Sequence, residues 1–444
     1  MNRITVRTLV GDSEMREIDE GIAQGSHSGS LTSSSSLAAG VEDFFRESED
    51  EMFFGRMKLL PQSFQDDLLR CSQSVKASQA GNDKFENFAN TKNLTYNMKK
   101  TCIIILGAKK AREDLTVEFV DSPPTLYGEP VKLVASESYL GDELGKSVSE
   151  SVTITIAKRI GLAKKAIFDI KNIIEDCRSH ILGGIKTGIL LYETSLLPFL
   201  LFNSSTWLQI KQSDIDTLQK LQNLFYSTLL QVQKSSVFFL HWELGALLIL
   251  MRILKEKIML YWHIACLPPT ALASIIMKTQ EEFRWPSLKD EIQPFLNEYQ
   301  IEDVTKYSKP QFRKLVSEKI CLKNRALLLE MAKDKKKVDF YSIASEEFEM
   351  KMYFSHLDLE NGRVKYRERS GCLKTCQSQA PSDLENMRAE MKCFHCRNQD
   401  VPSHWFRCEG YKNLAQNRSF QSDQEICEFY TSIIKLRQEQ EQQV

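Results

Sequence analysis

The chain has 444 residues, of which 42% are hydrophobic and 26% charged, with a formal net charge of −1. That length implies roughly two to four domains, and the composition excludes collagen-like, low-complexity and wholly disordered chains. A net charge near zero also excludes a global electrostatic pull toward nucleic acid, so any such binding must rest on local clusters.

Met1 to Val6 reads as a strand rather than a secretory leader. With eleven cysteines, an odd number, the expected setting is a reducing compartment, nucleus or cytoplasm, with thiols free or on metal. Two apolar stretches, 185–202 and 238–251, are interrupted by Lys186, Glu193 and Pro198 in one and by His241 and Glu243 in the other. A spanning helix wants about 20 nearly uncharged residues, so both are expected to be buried helices, with no membrane partner.

After the opening strand, glycines at 21, 25 and 29 allow backbone shapes closed to other residues. The serines at 32–36 suggest a linker, yet Leu37, Val41, Phe44 and Phe45 follow at helical spacing, which a serine could cap. Next comes Phe64-Gln65-Asp66-Asp67, between short strands expected at Met57–Leu60 and Leu68–Leu69. Side chains alternate along a strand, but a tight turn can bring both carboxylates to one surface. Paired acids suit two-metal phosphoryl transfer, because hard divalent cations take oxygen ligands. Taken alone, adjacent acids are common and more often mark a solvated turn or a helix N-terminus.

Phe85, Phe88 and Ala89 recur at helix spacing within 82–93. Strands are expected at Cys102–Leu106, ended by Gly107, at Leu115–Val120, where apolar residues alternate, and at Val131–Val134. Strands therefore dominate to about residue 141. Helices are expected beyond it. Residues 156, 160, 163, 167, 170, 173 and 174 form an apolar stripe within 154–174, with Lys158, Arg159, Lys164 and Lys165 between them. Helical patterns continue over 215–232 and 244–267, and Pro268-Pro269 marks a boundary. A further basic helical region contains Arg313, Lys314, Lys319, Lys323 and Arg325.

Four short motifs occur in a telling order: Gln24-Gly25, then Phe64-x-Asp66-Asp67, then Asn97-x-x-Lys100-Thr101, then Tyr139-Leu140-Gly141. The chain thereby resembles the C-terminal part of the reverse transcriptases of non-LTR (LINE-type) retrotransposons. The resemblance implies an α+β fold, with a partial palm made of an antiparallel sheet with helices, then a helical thumb. It implies that Asp66 and Asp67 ligate magnesium and that Lys100 lies near the pyrophosphate leaving group. Gln24 and Gly25 would lie against the incoming nucleotide and template. Tyr139 to Gly141 would form the turn that grips the primer strand, and the Lys158–Lys165 cluster would meet duplex phosphates. The implied partners are an RNA template, a DNA primer or target, and deoxynucleotides. The family places another aspartate in a strand upstream of the Gln-Gly loop. The 23 residues before Gln24 offer only Asp12 and Asp19, in a different context. The expectation is a polymerase part that is inactive alone and completed by an N-terminal part. The alternative is a non-catalytic nucleic-acid-binding protein derived from such an enzyme.

Near the end, Cys393, Cys396, His404 and Cys408 have the spacing Cys-x2-Cys-x7-His-x3-Cys. Two thiolates from a knuckle and two ligands a helical turn apart can close a tetrahedron, which points to structural zinc. His395 competes as a ligand, and Cys372 with Cys376 makes a second partial pair. Upstream, Arg363, Lys365, Arg367 and Arg369 with Tyr366 read as a basic-aromatic strip for phosphates and stacking. The expected organisation is a partial palm at 1–145, a thumb-like region at 146–268, a basic helical connector at 269–380, a knuckle at 381–415 and a helical or disordered tail at 416–444. Purified chain is expected to carry zinc and to lose it on Cys393→Ser. Metal analysis of both proteins checks this, and zinc-free wild-type protein would refute it.

Overall fold

The computed structural model describes residues 2–4, 7–8, 11–12, 16–18, 52–55, 57–59, 61–64, 67–176, 184–232, 235–333, 347–370, 405, 408, 411, 414 and 420–441. The chain is α+β, rich in helix with small sheets. Among the described residues no helix is long and apolar enough to cross a membrane. Two compact units emerge. The first comprises Met1–Glu137, Leu144–Ser147 and Pro269–Trp285, and the second Ser138–Glu143, Val148–Pro268 and Pro286–Val444.

In the first unit, β1 (Asn2–Ile4) pairs with β4 (Arg16–Ile18), enclosing the pair β2 (Arg7–Thr8) and β3 (Gly11–Asp12). Two hairpins follow: β5 (Met52–Phe54) with β6 (Met57–Leu59), then β7 (Gln62–Phe64) with β8 (Asp67–Leu69). Helix α1 (Val75–Thr91) starts where the Ser74 side chain accepts a hydrogen bond from the Ala77 amide, 3.0 Å away. Phe88, against which Leu68 and Phe85 pack, is its buried anchor.

Strand β9 is shorter than the apolar run predicts, covering only Cys102–Ile103. The strand expected at Leu115–Val120 is instead part of helix α2 (Lys109–Asp121). Lys109, Ala111, Arg112 and Glu113 are strong helix formers, Lys109 and Glu113 pair one turn apart at 3.9 Å, and Phe119 is the helix's buried residue. The short alternation of apolar residues was the weaker signal, and it leaves Val117 62% and Val120 71% exposed.

Strands β10 (Thr125–Leu126) and β11 (Glu129–Pro130) form a hairpin, and β12 (Lys132–Leu133) pairs in parallel with β9. Polar side chains of α1 hold that hairpin. Gln79 accepts from the Thr125 amide at 2.6 Å, Asn82 donates to the Thr125 carbonyl at 3.1 Å, and Glu86 accepts from the Tyr127 amide at 2.9 Å. Among the described residues every sheet has two strands and one pair is parallel, so the single antiparallel sheet expected of a palm is not formed by them.

Strands β13 (Glu137–Tyr139) and β14 (Asp142–Leu144) make a hairpin whose tip, Ser138–Glu143, belongs to the second unit. Helix α3 (Val148–Asp176) buries Ile156, Ile160, Ala163, Ile167, Ile170 and Ile174. Ile173, expected in the same stripe, stays 53% exposed because it lies at the edge of the buried arc. Next come α4 (Ile185–Leu191), a π-helical turn at Tyr192–Leu196, α5 (Leu197–Leu200), α6 (Gln212–Leu230), α7 (Val237–Glu243) and α8 (Ile249–Ala265). Helix α9 (Leu272–Glu282) belongs to the first unit, where Phe54 meets Trp285 edge-on with ring centres 4.9 Å apart. The second unit resumes with α10 (Leu288–Glu298), α11 (Lys309–Ala332), α12 (Tyr353–His356), α13 (Leu359–Arg369) and α14 (Asp423–Glu441). One apolar cluster runs through this unit, from Val152 to Ile433.

The helical pattern expected from Leu244 starts only at Ile249. Gly245 has φ +60, and a Cβ there would lie 2.4 Å from the Met350 amide nitrogen. The close approach serves a β-bridge between Leu244 and Met350. Inside the core, His241 donates from Nδ1 to the Ala246 carbonyl at 3.0 Å. Burial holds its pKa down to about 4, with the Arg252 charge adding to the depression and the Ala246 bond opposing it.

Gly245→Ala is expected to destabilise the chain by at least about 2 kcal/mol, from left-handed strain and backbone overlap. Gly161→Ala, inside α3 with open space around it, is expected to stabilise by roughly 0.5 kcal/mol or more. Denaturant midpoints of both variants check the contrast.

Candidate functional site

The residues expected to form a site divide between the two units. In the first, Asp67 is exposed and opens β8 opposite Phe64 of β7. The two strands are joined through positions 65 and 66, so the acid stands at the end of a hairpin. Asp66 lies outside the described residues, as do Gln24 and Gly25. Lys100 is exposed in a turn whose amide bonds back to the Asn97 carbonyl at 2.9 Å. Among the described residues no group of three or more His, Cys, Asp or Glu could hold a metal.

The best-built feature is the β13–β14 turn in the second unit. Leu140 and Gly141 both have positive φ, 50 and 84, which gives the two-residue hairpin a left-handed tip. Glycine suits this backbone, whereas leucine is strained in it. Arg159, only 5% exposed, rises from α3 behind the tip. Its Nη2 donates to the Gly141 carbonyl at 2.6 Å and to Asp142 Oδ1 at 2.7 Å. Its Nη1 donates to the Phe202 carbonyl at 2.5 Å. The guanidinium also lies over the rings of Phe202 and Trp207, 5.6 and 5.4 Å from their centres. Burial lowers the Arg159 pKa and the Asp142 carboxylate opposes that fall, so the group remains a cation at neutral pH. Lys158 pairs with Glu143 of β14. Asn203, itself left-handed with φ 55, donates its side-chain amide to the Leu140 carbonyl at 3.3 Å.

The expected phosphate cluster on α3 is thus corrected in part. Arg159 is internal and Lys158 is paired, while Lys164 and Lys165 are exposed. The signal for Arg159 was present in the sequence, since it stands three residues after Ile156 and four before Ala163, within the buried arc. Phe202 and Asn203 had no such signal, because they meet the tip from 60 residues away.

The basic-aromatic strip is also corrected. Arg363 is fully buried, donating to the Leu229 carbonyl at 2.8 Å and to Glu175 and Glu360 at 2.6 and 2.7 Å. The Arg363 hydrogen bond holds the Glu175 pKa down against the opposing cost of burial. Tyr366 is buried, its hydroxyl bonded to Ser235. Lys365 pairs with Glu368 and Asp423, at 2.9 and 3.0 Å. Arg369 reaches Glu243, which is fully buried and also accepts from the Tyr353 hydroxyl at 2.7 Å. These cations anchor α13 in the core instead of facing a ligand. Alternating charge and aromatic residues looked like a binding surface, but Arg363, Lys365 and Arg369 are met by acids near in sequence, Glu360 and Glu368, and far from it, Glu175, Asp423 and Glu243.

Of the zinc ligands expected from spacing, Cys393, Cys396 and His404 lie outside the described residues. Cys408 is buried, at 3% exposure. Beside it in sequence, Trp405 and Tyr411 flank the Arg437 guanidinium of α14, 4.6 and 5.5 Å from their ring centres. The donor set suits zinc by its chemistry.

No family model, curated protein or solved structure matches the chain.

Arg363→Met is expected to destabilise the second unit by on the order of 3 kcal/mol, because Glu175 loses its partner. It is not expected to change the salt dependence of any nucleic-acid binding. Thermal melts and a salt titration separate the two roles.

Proposed function

We propose that the chain is part of an RNA-directed DNA polymerase of the non-LTR retrotransposon type. In this reading it contributes primer and template binding rather than a complete catalytic centre. The observation that carries the reading is the tip at Leu140–Gly141. It falls where the fourth motif of the resemblance calls for a primer-gripping turn, and it is held rigid by a buried cation. Asp67 at the end of a hairpin supports the same reading. A bound magnesium ion would neutralise charge on the reacting phosphates, with Asp66 and Asp67 as its ligands from this chain. Lys100 would face the leaving group. Lys164 and Lys165 on α3 would meet backbone phosphates. The Cys393–Cys408 knuckle would add a zinc-stabilised contact to template or target.

A second reading is favoured by one specific observation. Asp67 belongs to no group of three or more possible metal ligands among the described residues, and a nucleic-acid-binding protein without polymerase activity needs none. Both readings require binding. They differ in what happens when an N-terminal palm segment carrying the upstream aspartate is supplied in trans.

The purified chain is expected to retain a primer–template duplex on a filter with an affinity that falls steeply with salt. Lys164→Ala with Lys165→Ala is expected to reduce the slope of log K against log salt by about two. Alone, the chain is expected not to extend the primer. Extension when the segment is added selects the polymerase reading, and its absence selects the binder. A flat salt response in the wild type would sink both.

A further inference from the structure

We propose that Phe202, set against the Leu140–Gly141 tip, is a stacking platform for one unpaired nucleobase. The inference rests on the reading that the chain binds nucleic acid, and it names the subsite.

Phe202 is 52% exposed although the backbone around it is fixed. Its carbonyl accepts from Arg159, and the guanidinium lies over its ring. An apolar ring left half exposed beside a fixed backbone forgoes part of the gain from burial. A freely rotating ring would pay ordering entropy on stacking, and the Arg159 guanidinium over this ring and the Gly141 backbone at its edge narrow the rotamers open to it. The ring edge approaches the bare backbone of Gly141. A Cβ there would lie 3.0 Å from Phe202 Cε1 and 3.4 Å from Cδ1, so the absence of a side chain leaves the ring in place.

Three left-handed residues converge here: Leu140, Gly141 and Asn203. Two are not glycine, and leucine at φ 50 is a backbone outlier. Outliers of this kind persist where the surroundings over-determine them, and they cluster at ligand clamps. The surroundings in this case are the Arg159 bonds and the Asn203 amide on the Leu140 carbonyl.

The ligand chemistry follows from what the patch offers. A single ring face stacks any base, since every base has a π-face. Asp142 and Glu143 would repel a phosphodiester, but both are neutralised, by Arg159 and Lys158 in turn. Lys158 keeps an exposed stem beside the tip, its side chain 56% exposed. The subsite therefore takes an unpaired base with its flanking phosphate and has no built means of reading which base it is.

The test uses the full chain and a 12-nucleotide single-stranded DNA with one 2-aminopurine at its 3′ end. Stacking quenches that fluorophore, and anisotropy of a 5′ label gives the affinity. Wild type is expected to bind and quench. Phe202→Ala is expected to lose affinity about tenfold and to lose the quench. Phe202→Trp should retain both, and Phe199→Ala, an exposed phenylalanine on α5, should leave both unchanged. If Phe202→Ala melts early, Phe202→Leu, which keeps apolar volume without a ring, is read in its place. Wild-type binding with an undiminished quench in the ringless variant overturns the subsite and leaves the binding reading standing. No binding by the wild type at low salt overturns the binding reading, and the subsite with it.

Discussion

A guanidinium taken out of water must have its donors met inside the protein, and Arg159 meets them with main-chain carbonyls from two separate loops. The second unit's most distinctive surface depends on that requirement. Asp142 supplies the opposing charge, Phe202 and Trp207 supply ring faces, and α3 supplies the rigid base. Removing the cation would leave the Gly141 and Phe202 carbonyls without their donor and Asp142 without its partner. The left-handed tip at Leu140–Gly141 would then lose the bonds that offset its strain.

The same solution recurs across the second unit. Arg363, Arg369 and Arg437 each carry a positive charge into the core or its edge, and each is met by carboxylates, carbonyls or aromatic rings. Buried ion pairs are weak evidence for stability, because desolvation offsets much of the attraction. They do fix registry, since a misplaced helix would leave a charge unpaired. Helix α13 illustrates this: Arg363 reaches the end of α3, and Arg369 reaches Glu243 at the end of α7. The unit is thus apolar in bulk and is indexed by its cations.

The first unit is organised differently. Its described core centres on Phe88, and its elements are joined largely by side-chain to backbone hydrogen bonds, as between α1 and the β10–β11 hairpin. Short hairpins with little apolar burial hold their geometry through local bonding and turn chemistry. The hairpin that ends at Asp67 belongs to this class. It presents an exposed acid, but nothing in its described surroundings completes a metal site.

The sequence alone determined the elements whose signals are local. The apolar stripe of α3 was legible because helical periodicity repeats over about six turns, and the helices around 215–232 and 244–267 followed the same rule. The turn at Tyr139–Gly141 was expected only through the motif resemblance, and the hairpin at the Asp pair was legible in part: Leu68–Leu69 is a strand as expected, but its partner is Gln62–Phe64, while Met57–Leu59 pairs with Met52–Phe54. The segment 115–120 was misread because six alternating residues are too few to outweigh the helix formers preceding them. Tertiary structure alone decided which charges face water. Arg363 and Arg369 look like surface cations until Glu175 and Glu243, more than a hundred residues away, are brought beside them. It alone also placed Phe202 against Gly141. Periodicity reports which face of an element is buried, but the fate of a single charge or ring depends on the partner that folding brings to it, and that partner leaves no mark in the neighbouring sequence.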